Sequence, residues 1–236
     1  TQSGPGLRLQ HGDWSAIPTE DQEDASRKPG VAHFDFDRVP GVQAMPRPIT
    51  PSDLPGEKVL SGSTAQQDGG GVRKGRQMHR LLEHLPGAPD PKRLAGALLS
   101  SGSDVAPAGE IQSLAEEALA LIEAYPDIFG SHSLAEVEIT ANSPTLGGQI
   151  VGTIDRLIVT PKVVTAIDFK SNAVVPETAE DTPSGILRQM GTYLEALEAV
   201  YPSRLIKLAI LWTSEGRLME LQHGIVREAL RTTPTS

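Results

Sequence analysis

Val163-Val164-Thr165-Ala166-Ile167-Asp168-Phe169-Lys170 is a run of β-branched and apolar side chains that closes on an acid and a base. Successive residues of a strand point to opposite faces. Val163, Thr165, Ile167 and Phe169 therefore share one face, and Val164, Ala166, Asp168 and Lys170 share the other. Asp168 and Lys170 project together at the strand's end, while Phe169 points into a core. The two residues before the run, Pro161-Lys162, are short enough to turn a hairpin from a preceding strand over residues 149–160. On that strand Asp155 falls on the face of Val151, Thr153, Leu157 and Val159, where an unpaired carboxylate is expensive to bury.

Outward from this hairpin the elements follow a simple order. Upstream, Met78, Leu81, Leu82 and Leu85 have helical spacing, and Pro86-Gly87 stops that helix. A second helical run carries Ile111, Leu114, Ala118, Leu121 and Ile122 and ends before Pro126; a strand over residues 134–140 follows. Downstream come a helix over 184–200, an apolar strand over 205–212, a turn at Glu215-Gly216, a short strand over 217–222 and a terminal helix over 225–230. The expected fold class is α/β, a mixed central sheet flanked by helices. Residues 72–236 form that domain. Residues 1–71, with Pro18, Pro29, Pro40, Pro46, Pro48, Pro51 and Pro55, are a proline-rich interdomain linker. Trp14, Phe34 and Phe36 offer docking side chains within it, and residues 49–54 a short docking point.

The chain has 236 residues, 38% of them hydrophobic, enough for one ordinary core. It has no cysteine, which excludes disulfides and cysteine-ligated zinc or iron–sulfur clusters and fits a reducing cytoplasm. No apolar stretch is long enough to span a bilayer, and no signal-peptide pattern opens the sequence. Its first residue is Thr1 rather than Met, which fits a piece of a longer protein. Net charge is −9 and pI about 5.2, the wrong sign for a chain that grips DNA unaided over a long footprint. The sign is compatible with a carboxylate-rich metal site, or with a module that neighbouring domains deliver to DNA.

Two acids on one sheet face repel unless a cation sits between them. Mg²⁺ is the natural candidate for Asp155 and Asp168, because it takes oxygen ligands and keeps waters for substrate phosphate. Lys170 beside such a site would orient or help deprotonate an attacking water. The bland alternative is a surface hairpin with a solvated Asp–Lys pair. Gln189 and Tyr193 lie on one helical face with Ile186 and Leu197, so Gln189 either serves a nearby site or sits at the edge of a helix. His79 borders the apolar stripe of its helix, as an inward nitrogen ligand or as a structural residue. Around it Arg73, Lys74, Arg76 and Arg80 either contact phosphates or form a solvated helix start.

Four signatures in order then carry a resemblance: Gly75-x-x-x-His79-x-Leu81-Leu82-Glu83, Gly152-Thr153-Ile154-Asp155-Arg156-Leu157, Asp168-Phe169-Lys170-Ser171 and Gln189-Met190-Gly191-Thr192-Tyr193. Over residues 72–222 the chain resembles the RecB-like nuclease domain of the PD-(D/E)xK type, in particular the C-terminal domain of AddA-type subunits of helicase–nucleases. The resemblance implies a Mg²⁺-dependent deoxyribonuclease, with Mn²⁺ as a substitute, that degrades single strands during double-strand break repair. It implies His79, Asp155, Asp168 and the Phe169 carbonyl as metal ligands and Asp155, Asp168 and Lys170 as catalytic residues. Gln189, Tyr193 and Arg76 would contact DNA. Glu136 or Glu138 matches a further acid. The implied partners are single-stranded DNA, a helicase portion of the same polypeptide and an AddB-type subunit. No Gly-x-x-x-x-Gly-Lys-Ser/Thr loop is present, so this chain has no motor of its own. The rival readings are a non-catalytic domain of the same fold, a stand-alone exonuclease and an α/β interaction module.

Overall fold

The computed structural model describes residues 47–59, 69–102 and 104–234. Most of the proline-rich segment, including Trp14, Phe34 and Phe36, lies outside the described residues. Helices α1 (Gly69–His84), α2 (Pro91–Leu99), α3 (Ala108–Ala124) and α4 (Pro126–Phe129) precede strands β1 (Ser133–Ser143), β2 (Gly148–Val159) and β3 (Val163–Lys170). Then come α5 (Ser184–Val200), β4 (Leu205–Trp212), β5 (Arg217–Leu221) and α6 (His223–Arg231). The hairpin, the helix after it and both C-terminal strands fall where hydrophobic spacing puts them. Helix α2 was not expected, although its start is written in the sequence: Asp90 caps the Arg93 amide and Pro91 occupies the first turn.

The five strands form one mixed sheet in the order β1-β2-β3-β4-β5, antiparallel except for β3 beside β4. That parallel pair requires a crossover, which α5 supplies. Alternation sorts the side chains of the central strands into two cores. Val164 and Ala166 of β3, with Ile206, Leu208, Ile210 and Trp212 of β4, pack under Ile186, Met190, Leu194 and Leu197 of α5 and Val226 of α6. On the opposite face Ile167 and Phe169, with Ala209 and Leu211, meet Met78, Leu81 and Leu82 of α1 and Leu85 just after it, along with α2 to α4. The architecture is thus α/β, with a mixed central sheet flanked by helices.

Alternation fails at one place in β2. Ile150, Ile154 and Leu157 all enter the core under α5, so the phase slips by one residue between 154 and 157. Asp155 therefore does not share a face with Leu157, as strict alternation predicts. The slip coincides with two other departures. Across on β1, Glu136 has φ +48°, in the left-handed region that a side chain rarely adopts. On the other side, β2 pairs with β3 only from Arg156 to Val159, and the two strands separate beyond.

Residues 47–59 cross the opening this creates. The Ile49 amide donates to Gln149 O (2.7 Å) and the Val151 amide to Ile49 O (3.0 Å), so Ile49 takes up the β2 edge that β3 has left. A 3-10 turn, Pro51–Asp53, follows. Further on, Arg188 Nη1 donates to Pro55 O (2.6 Å), the Gly185 amide to Glu57 O (2.8 Å), and Asn172 Nδ2 to Lys58 O (2.8 Å). This strap thus joins β2, α5 and the loop after β3, and residues 49–54 are its seat on β2.

Helix α6 is held against α5 by a close backbone approach. A Cβ at Gly191 would stand 2.5 Å from Val226 O and 3.0 Å from Leu230 Cβ. Gly191→Ala is therefore expected to cost about 1–3 kcal/mol through overpacking, read as a lowered urea midpoint at unchanged slope.

Candidate active site

The opening between β2 and β3 leads into a cleft of about 530 Å³, bordered by His79, Glu138, Asp155, Asp168, Lys170, Gln189, Tyr193 and the strap's Thr50, Pro51 and Ser52. Asp155 lies where the two strands part. With β2 turned away, the Phe169 amide has no strand partner there, and Asp155 Oδ2 accepts its hydrogen bond at 2.6 Å. The other oxygen, Oδ1, is 3.4 Å from His79 Nδ1. His79 Nε2 in turn lies 3.1 Å from the Phe169 carbonyl. Both ring nitrogens thus face acceptors, and only the imidazolium can donate to both.

Asp168 has a different environment. It is 2% exposed and accepts from Gln189 Nε2 at 2.7 Å through Oδ1. Lys170 Nζ stands 2.5 Å from Oδ2, a close ion pair. Gln189 also donates to Tyr193 Oη at 3.1 Å, and Tyr193 donates to Thr153 O at 2.6 Å. The polar interruption in the α5 stripe is explained: Gln189 and Tyr193 form a strut from α5 to Asp168 and β2.

These surroundings pull the titrations apart. Burial lowers the His79 pKa, but the hydrogen bond and charge of Asp155 outweigh it, and the net shift is upward. Burial would raise Asp155; His79, Lys170 and the Phe169 amide hold it below the usual carboxylate range. For Asp168 burial dominates and the shift is upward, with Lys170 opposing and Asp155 reinforcing. Glu136 is also raised, by burial first and then by Asp155 and Glu83. Burial, aided by Asp168, raises Tyr193, which stays a neutral donor.

A divalent cation fits this donor set. Ligand atoms of His79, Glu136 and Asp155 lie within 4.8 Å of one another. The 3.1 Å between His79 Nε2 and Phe169 O is close to the roughly 3 Å separating adjacent ligands on a six-coordinate ion with bonds near 2.1 Å. Asp168, buried beside them with Lys170 as its counter-ion, offers a further carboxylate to the same cleft. Of the two acids on β1, Glu136 joins the His79–Asp155 group and Glu138 lines the cleft two residues along.

Arg76 does not border the cleft. Its guanidinium makes a two-point contact with Asp104, at 2.6 and 2.8 Å. Its neighbours are likewise engaged: Arg73 with Glu110 at 3.3 Å, Lys74 with Glu117 at 3.0 Å, and Arg80 with the carbonyls of Leu98 and Ser101. Such surface pairs stabilise little individually, but they occupy the cations that open α1. Sequence reasoning missed the strap's place at the cleft, and with it the reason for one motif glycine. A Cβ at Gly152 would meet Pro51 Cδ at 2.8 Å. Gly75 has the matching role on α1, where a Cβ would stand 2.6 Å from Ser171 Oγ.

The sequence profile of the PD-(D/E)XK nuclease superfamily matches residues 59–231. The chain belongs to this superfamily. The sheet and its flanking helices are the superfamily's fold. Comparison with curated proteins found no match. Among solved structures, a candidate exonuclease from Eubacterium rectale is similar at 13% identity with a TM-score of 0.42, covering 66% of this chain and 62% of its own. The chain thus spans less than two thirds of that relative. The protein SSO0001 is similar at 12% identity and a TM-score of 0.29, covering 67% of this chain and 81% of its own. Likenesses this distant add nothing to the superfamily match. No helix among the described residues is long and apolar enough to cross a membrane.

The titrations predict how metal-free stability depends on pH. His79 has a raised folded pKa, so its contribution is complete below the unfolded value of roughly 6.5 and is lost as pH rises through the folded one. Asp168, also raised, favours the fold when protonated and adds to the loss as pH rises. Asp155 is lowered, so its contribution is present above the unfolded value and fails only in acid. In EDTA the urea midpoint should fall between pH 6 and pH 8.5, and His79→Ala should flatten that decline; a flat wild-type profile would contradict the assignment.

Proposed function

We propose that this chain is a Mg²⁺-dependent deoxyribonuclease that hydrolyses phosphodiester bonds of single-stranded DNA, with Mn²⁺ as a substitute metal. The observation that carries the reading is the meeting of Asp155, Asp168, Lys170 and His79 in one cleft, where the sheet splits and exposes a backbone carbonyl beside them. His79, Asp155, Asp168 and the Phe169 carbonyl would hold the metal, with Glu136 as a further ligand. The cation supplies Lewis-acid polarisation of the phosphate and lowers the pKa of water.

The protein groups do the positioning. Lys170, with Asp168 as its counter-ion, reaches the cleft where it orients the attacking water and offsets phosphate charge. Gln189 and Tyr193 fix Asp168 from behind and form the α5 wall along which the strand is placed. Strap and α5 leave a cleft of a size that suits a nucleotide or two rather than a duplex.

The biological setting we infer is a helicase–nuclease of the AddAB or RecBCD kind, in which this chain is the nuclease portion of an AddA-type subunit acting in double-strand break repair. Two features support delivery by other domains: the net charge of −9 and the pairing of the cations at the start of α1 with acids of the same chain. Few free cations remain there for DNA backbone.

Labelled single-stranded DNA incubated with the chain and Mg²⁺ or Mn²⁺ tests the chemistry. Cleavage should fall at least a hundredfold in Asp168→Ala and in Lys170→Ala, about the loss expected for groups acting on the reacting atoms. Absence of cleavage together with absence of Mn²⁺ binding by calorimetry would turn the reading to a non-catalytic domain of the same fold.

A further inference from the structure

We infer that Arg156 is a positioning residue for the metal site, a clamp that sets the distance between His79 on α1 and Asp155 on β2. The inference rests on the reading of these two residues as metal ligands. Arg156 is 4% exposed, an uncommon burial for a guanidinium. It occupies the last β2 position paired with β3, opposite Ile167, immediately before the strands separate at Asp155. The phase slip in β2 is what sends its side chain toward α1 instead of toward α5.

There it does two things. Nη2 donates to the Leu82 carbonyl and, at 3.5 Å, to the Glu83 carbonyl, both in the last turn of α1. These carbonyls have no partners within the helix and carry the negative end of its dipole, so a cation suits them. The guanidinium also lies over the Phe129 ring, 5.2 Å from its centroid. Phe129 packs on Phe169 at 5.9 Å, and Phe169 meets the His79 ring edge-on at 5.6 Å. Arg156 thus touches His79's helix directly and the His79 ring through two aromatic side chains.

His79 lies between two fixed points on α1. One turn before it, Gly75 leaves room for Ser171 at the end of β3; one turn after it, Leu82 is tied to Arg156. Rotation or sliding of α1 that would part His79 from Asp155 is resisted on both sides. Stability alone does not call for an arginine here. Its Nε is buried without a partner, and a buried cation of this kind is often replaced by an apolar side chain at no loss.

That asymmetry gives the test. Mn²⁺ affinity and urea midpoints are measured by calorimetry and fluorescence on the full chain, for the wild type, Arg156→Met, Arg156→Lys and His79→Ala. Arg156→Met should keep or raise the unfolding midpoint while binding Mn²⁺ about tenfold more weakly, the loss expected when a group supporting metal ligands is removed. Arg156→Lys, which keeps the charge and a donor but not the guanidinium over Phe129, should fall between; if the Met variant does not fold, this one decides. Mn²⁺ affinities within about twofold of wild type in the folded variants, whatever their stability, would overturn the clamp. If His79→Ala binds Mn²⁺ as the wild type does, or the wild type binds none, the metal reading itself fails and the clamp falls with it.

Discussion

Where β2 leaves β3, the amide of Phe169 would be an orphan at the edge of a core, and the carboxylate of Asp155 takes its hydrogen bond. A charge-assisted bond of this sort contributes about 1.5–3 kcal/mol, and here it also lets the sheet open without exposing an unsatisfied donor. Everything at the cleft depends on that exchange. The opening exists because the ladder stops at Arg156, and the Phe169 carbonyl is available beside His79 for the same reason. The strap can sit on the β2 edge because β3 has vacated it. The slip in β2 and the left-handed Glu136 opposite are the local costs of the opening.

Charge is distributed so that the acidic site tolerates itself. The nearest cation to Asp155 is His79 and the nearest to Asp168 is Lys170, and each cation also acts on the other acid. Unequal burial and unequal hydrogen bonding still part them, Asp155 shifted below and Asp168 above the ordinary carboxylate range. Pairs of groups driven apart in this way recur at sites that transfer protons or bind metals. The strut from Gln189 and Tyr193 holds Asp168 on a helix that is itself buried along most of one face, so the acid cannot swing away from the cleft. The same economy extends to α1, whose cations are matched by acids on α3 and in the loop before it.

Much of this was legible in the residues. Alternation in 163–170 put Asp168 with Lys170 and sent Phe169 to the other face, because β3 is straight, central and covered by helices on both sides. The spacing of Gln189 and Tyr193 put them together because a helix carries its period of 3.6 through any environment. Helix α2 had its signal too, in Asp90 and Pro91, masked by the short apolar run that follows. Alternation misled only in β2, where the strand slips at the point the site is built. Rules of local periodicity fail there because the geometry is imposed by partners distant in sequence, not by the residues' own preferences.

The sequence by itself determined the order of the elements other than α2 and α4, the two faces of β3, the set of chemically capable residues and the exclusion of cysteine-based sites, because each follows from local spacing or composition. Only the tertiary structure decided that Glu136 comes close to His79 and Asp155 while Glu138 lines the cleft, that Gln189 braces Asp168, that Arg76 is paired with Asp104, and that Thr50, Pro51 and Ser52 border the cleft. The hydrogen bonds among these contacts, with that of Arg188 to the strap, span 21 to 133 residues of chain. They depend on where β2 and β3 part and on how closely glycine backbones allow α1 and the strap to approach, which no local pattern encodes.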